Sequence, residues 1–117
     1  MDPRLKSALE SSKFMKTFQN QKRILQEKYS ADLIHYYKGS QFTADPALIN
    51  YLDYLHRRLQ DDAMLTDDHK IPVLIDNVEQ FLLDISTINA RATNVYYTKY
   101  SELINSKDNK SLIDNDK

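Results

Sequence analysis

The sequence predicts an all-α protein with two long helices and one shorter helix, and three observations lead there. Of 117 residues only one is glycine and three are proline, whereas open sheets, tight hairpins and phosphate-cradling loops use glycine where the backbone turns sharply. Cysteine is absent, so disulfide scaffolds, thiolate metal sites and cysteine nucleophiles are excluded. Apolar residues recur at steps of three and four through the second half of the chain, the period of an amphipathic helix. The glycine scarcity also leaves no dinucleotide fingerprint, Walker loop or nucleophile elbow.

The first helix is expected from about Pro3 to Lys38, closed by Gly39 as a left-handed cap. At 1.5 Å per residue it would be roughly 50 Å long, more than a core this small can cover, so it calls for partner surface. Asp45-Pro46 is a helix start, with Asp45 as N-cap and Pro46 where its missing N–H costs nothing. The second helix runs to about Gln60, with Leu48, Leu52, Leu55 and Leu59 as one stripe flanked by Tyr51 and Tyr54.

Thr66, Asp67 or Asp68 is expected to cap a third helix with Pro72 in its first turns, extending to about Ile104. One row of it reads Leu74, Val78, Phe81, Ile85, Ile88, Ala92 and Val95. A neighbouring row shares several of these residues, which makes the apolar face wider than a two-stranded coiled-coil seam. Two long apolar faces leave more surface than one chain covers, so this row is the expected core of a homo-oligomer, the alternative being an ordinary three-helix monomer. Asn89 interrupts the face, either buried to fix register or turned outward. Residues 1–105 then form one helical domain and 106–117 a disordered polar tail.

Sixteen Lys and Arg face seventeen Asp and Glu, a net charge of −1, which excludes a wholly basic binder. Charge is nevertheless uneven. Residues 1–40 hold eight basic and four acidic residues, and Lys13, Lys16, Lys22, Arg23 and Lys28 stand against Glu27 alone, interleaved with Phe14, Phe18 and Tyr29. Basic side chains release counterions from phosphates and aromatic faces stack on unpaired bases, so the stretch reads either as a single-stranded nucleic-acid surface or as a solvated face backed by core aromatics. Arg57 and Arg58 are placed to meet phosphate or to neutralise the end of the second helix.

Catalytic arrangements are not supported. His35, His56 and His69 lie on three elements with no second histidine at i+4, and the Asp53–His56 pair has no nucleophile beside it. Asp61, Asp62, Asp67 and Asp68 lack the glycine and spacing of an EF-hand and read as helix caps. No metal, cofactor or enzymatic activity is expected. The longest apolar runs are a few residues, too short to span a bilayer, and Met1 to Lys6 lacks a secretory leader, so a cytoplasmic location is expected.

Tyr36-Tyr37-Lys38-Gly39 after a basic helix, then Asp67-Asp68-His69-Lys70, then an apolar helix with Phe81-Leu82-Leu83-Asp84, resembles the UvsY family of recombination mediators of large tailed bacteriophages, over roughly Lys13 to Leu103. This chain departs in placing Ala31-Asp32-Leu33-Ile34-His35 before the tyrosines, with its basic residues earlier, at Lys22, Arg23 and Lys28. The resemblance implies a protein acting in the cytoplasm of an infected bacterium, without catalysis. It would form a hexameric or heptameric ring that binds single-stranded DNA and helps a RecA-like recombinase displace a single-stranded-DNA-binding protein. Lys13, Lys16, Lys22, Arg23 and Lys28 would then hold the backbone, and Tyr36 or Tyr37 would stack a base or pack on the second helix. The rival expectation is a helical phage structural or assembly protein that binds only protein.

Overall fold

A computed structural model describes the backbone of residues 2–115 and the side chains of 2–108. Among the described residues the order is α1 (Pro3–Asp32), β1 (Ile34–Tyr37), β2 (Ser40–Thr43), α2 (Pro46–Arg57), β3 (Ala63–Thr66), β4 (Pro72–Ile75) and α3 (Val78–Asn115). The chain is mostly helical, but two antiparallel hairpins, β1–β2 and β3–β4, stand where helix was expected. Two compact units are distinguishable: residues 1–28 with 95–117, and residues 29–94.

The expectation that Gly39 caps a long first helix is corrected. The helix stops at Asp32, and Lys38 (φ 50°) with Gly39 (φ 80°) forms the two-residue turn of the first hairpin, with Tyr37 opposite Ser40. Positive φ at both central positions gives the turn whose twist matches paired strands. A Cβ built on Gly39 would meet nothing within 4 Å, so backbone conformation rather than space requires glycine. The third helix likewise begins ten residues later than the acidic turn: Pro72 opens β4, and Asn77 caps α3 by accepting from Gln80 N at 3.0 Å.

Unit 29–94 carries the core. Its buried cluster joins Leu33, Phe42 and Ala44 to Leu52 and Leu55 of α2, Ala63, Leu65, Val73 and Ile75 of the second hairpin, and Val78, Phe81, Ile85 and Ala92 of α3. Strands β3 and β4 alternate strictly, Ala63, Leu65, Val73 and Ile75 inward and Met64 and Leu74 outward, so four-residue strands acquire one buried face each. Phe81 is the centre: Phe42 and Tyr37 meet its ring edge-on at 5.2 and 5.3 Å, and His35 lies at 6.1 Å. Such pairs add about 0.5–1.5 kcal/mol each beyond the area they bury.

Polar residues tie these layers. Asp67, buried, accepts from His69 N at 2.8 Å and Ile71 N at 2.9 Å, which closes the β3–β4 turn. Asp68 accepts from Thr43 N and Thr43 Oγ1 while its own N–H donates to the Gln41 carbonyl. These two aspartates are turn and sheet contacts, not the helix caps expected. Asn89, half-buried, donates from Nδ2 to the Ala44 carbonyl at 2.8 Å, so it fastens α3 within the chain.

Unit 1–28 with 95–117 is built from the first part of α1 and the last part of α3. Phe14, Phe18, Lys22 and Leu25 form its inner row on α1, at steps of four, four and three, yet only Phe18 is fully buried among the described residues. The Lys107 ammonium lies 4.7 Å from the Phe18 ring centre. The backbone is helical through Ser106 to Asn115, and of the disordered tail expected over 106–117, residues 116–117 lie outside the described residues.

Candidate nucleic-acid interface

The basic residues of α1 do not act as one group. Lys13, Lys16 and Arg23, at spacings of three and seven, share one side of the helix and are exposed. Lys13 and Lys16 make no side-chain ion pair or hydrogen bond among the described residues. Arg23 approaches Glu27 at 4.0 Å with both side chains about two-thirds exposed, a contact of little energetic weight. Lys28 is exposed as well, whereas Lys22 belongs to the inner row and is half-buried, so it does not share the exposed side that carries Lys13, Lys16 and Arg23. The interleaved Phe14 and Phe18 face inward, as the core-aromatic alternative has it.

The tyrosine pair divides by strand alternation. Tyr37 sits inward, its ring against Phe81 of α3 rather than against α2, and its hydroxyl accepts from Asp76 N at 3.3 Å. Tyr36 points the other way and is 63% exposed. Beside them the Lys38 ammonium pairs with the Asp76 carboxylate and lies 5.2 Å from the Tyr37 ring centre. The hydrogen bond that Lys38 donates to the Asp76 carboxylate is the main cause that raises the Lys38 pKa above its ordinary value.

The α2 arginines have local partners. Arg57 pairs with Asp53 at 2.8 Å. Arg58, the residue after the helix, donates to the Tyr54 hydroxyl at 2.8 Å and lies 5.4 Å from that ring's centre. Leu59, read as the last member of the buried stripe, is outside the helix at φ 58° and 86% exposed. Its N–H donates to the His56 carbonyl and that of Gln60 to the Leu55 carbonyl, the paired closure usually built on glycine.

The α3 row expected to join subunits is largely interior. Val78, Phe81, Ile85 and Ala92 are buried in the chain's own core and Ile88 packs against it; Leu74 lies in β4, not α3, and is 45% exposed, and Val95 is 37% exposed. The physical reason is the pair of hairpins: they supply a partner for that face which three helices alone would lack. What the helical reading did not join is the exposed row of Tyr51 and Tyr54 on α2 with Arg58, the residue after the helix; its signal was the spacing of three and four running beside the leucine stripe.

His35, His56 and His69 stay on separate elements, and no three metal-binding side chains converge among the described residues. No described helix is long and apolar enough to cross a membrane. No protein-family model matches the chain, and comparison with curated proteins and with solved structures gave no match.

Proposed function

We propose that this chain is a non-enzymatic recombination mediator. It binds single-stranded DNA as a homo-oligomer, a hexamer or heptamer, and helps load a RecA-like recombinase in place of a single-stranded-DNA-binding protein. The family resemblance supplies the partners, and one structural observation supports the DNA-binding part: the exposed side of α1 that carries Lys13, Lys16 and Arg23, two of them without a side-chain partner among the described residues. A subunit with net charge −1 gains useful affinity from such a short cationic row only when several copies engage one strand, because linked sites act at high effective concentration.

Self-association finds its support in the unit 1–28 with 95–117. Leu5, Leu9, Met15, Ile24, Val95 and Tyr97 are all exposed there, around a single buried phenylalanine. Two helices with so little of their own core are stabilised by a second surface. Residues Val78, Phe81, Ile85 and Ala92 have no part in this contact.

The test is fluorescence anisotropy with a labelled single-stranded oligonucleotide across a salt series, with mass by light scattering on the same samples. Replacing Lys13, Lys16 and Arg23 by alanine weakens binding and flattens the log–log salt slope by about 2, at roughly 0.7 per phosphate contact on single strands. An unchanged slope removes α1 from the DNA contact. The second reading, a phage structural or assembly protein binding only protein, is favoured by the outward pair Met64 and Leu74 of the β3–β4 hairpin, 63% and 45% exposed and directly opposed. An oligomer that ignores DNA at low salt decides for it.

A further inference from the structure

We infer that Tyr51 and Tyr54 of α2, with Arg58 just after its last residue, form a platform that stacks unpaired bases of a single-stranded nucleic acid. The inference rests on the reading that the chain binds single-stranded DNA, and it assigns base contact to residues outside α1 and the first hairpin.

Tyr51 and Tyr54 are separated by one helical turn, with ring centres 6.4 Å apart and planes only 24° from parallel. They are 48% and 51% exposed, whereas the neighbouring apolar positions Leu52 and Leu55 are buried. Two tyrosines at a core edge would ordinarily lay their rings on the core; these two instead lie against each other and leave ring surface in water. Arg58 continues the row at spacing four. Its guanidinium holds the Tyr54 hydroxyl at 2.8 Å, which orients both side chains, and no carboxylate pairs with it among the described residues. Arg57 behaves differently, being matched by Asp53 at 2.8 Å.

A near-parallel aromatic pair with an unmatched guanidinium at one end suits a nucleotide chain in both its parts. Bases stack on aromatic faces whatever their identity, and a cation beside the ring meets the phosphate that accompanies each base. The charge on Arg58 makes this occupant a better match than an apolar protein segment, for which a cation on the rim is a desolvation cost.

The experiment compares two labelled strands of equal length, a thymine oligomer and an abasic oligomer, on the full chain and on Tyr51→Ala/Tyr54→Ala, Tyr51→Phe/Tyr54→Phe and Arg58→Ala. Circular dichroism establishes that each variant keeps its fold, which exposed positions permit. The expected result is that the wild type prefers the strand with bases by about tenfold or more, that the double alanine variant loses this preference with its abasic affinity unchanged, and that the double phenylalanine variant retains it. Arg58→Ala weakens both strands and lowers the salt slope by roughly 0.7. A wild type that binds both strands alike, or an alanine variant that keeps the preference, overturns the platform while leaving DNA binding by α1 intact. A wild type that binds neither strand overturns the DNA-binding reading and the platform together. If the double alanine variant changes only the oligomer mass, the row is a protein contact and the inference is wrong.

Discussion

Asp67 shows how much one side chain carries in a chain with a single glycine. Buried in a five-residue connection, it replaces by its carboxylate the hydrogen bonds that a tighter turn would make within its own backbone. Asp67→Ala strands two N–H groups, and a loss of about 2–3 kcal/mol in urea unfolding is expected, whereas Asp67→Asn keeps the accepting oxygen and loses less. Leu59 is the opposite case, an exposed residue in the left-handed region with nothing to gain from its side chain. Leu59→Gly is expected to raise stability by about 1 kcal/mol, read as a higher denaturation midpoint. At the first hairpin, the pairing with Asp76 that raises the Lys38 pKa contributes while the ammonium is protonated. That contribution is complete below the ordinary lysine value and is lost as pH rises through the higher folded value. A Lys38→Asn variant, which tolerates positive φ, is therefore expected to show less alkaline destabilisation than wild type in paired pH series.

At the scale of elements, α2 and the apolar row of α3 were legible because each carries strong local chemistry: Asp45 accepts from Leu48 N at 2.9 Å as a capping residue should, and the α3 row keeps helical period over several turns. The hairpins were not legible, for two physical reasons. Strands of four residues are too short to show alternation against a helical background, and Lys38, Leu59 and Lys70 adopt positive φ without being glycine, so counting glycines undercounts turns. The basic stretch of α1 was visible as composition, but only packing separates Lys22 from Lys13, Lys16 and Arg23. The α3 row changes meaning with the hairpins in place. Phe81→Ala is expected to destabilise unit 29–94 by about 3–5 kcal/mol in chemical denaturation, at unchanged subunit number, because it empties the site shared by Phe42, Tyr37 and His35. Leu74→Asp, on the outward face, is expected to leave that midpoint within about 0.5 kcal/mol.

The whole molecule divides its stability unevenly. Nearly every buried side chain lies in residues 29–94, while 1–28 with 95–117 has Phe18 alone among the described residues. Amide hydrogen exchange is expected to show this directly, with the amides of residues 3–28 exchanging through local opening and those of α2 and residues 78–92 through global unfolding. If the first unit is where copies meet, its protection rises with protein concentration while that of the second does not. A first unit as well protected as the second at high dilution is incompatible with that assignment.

Asp68 has a consequence at a larger scale still. The outward N–H of Thr43 and C=O of Gln41 would otherwise form the open margin of a two-stranded ribbon, and both are occupied by Asp68, the N–H by its side chain and the carbonyl by its backbone. A ribbon margin left open is a template on which an identical chain can add a strand, and repeated addition leads to fibrils rather than to closed assemblies. The carboxylate thus covers the N–H half of that margin and the backbone of the same residue the carbonyl half; Asp68→Val uncovers only the first, and it is expected to appear first as turbidity and thioflavin binding rather than as a lowered melting temperature.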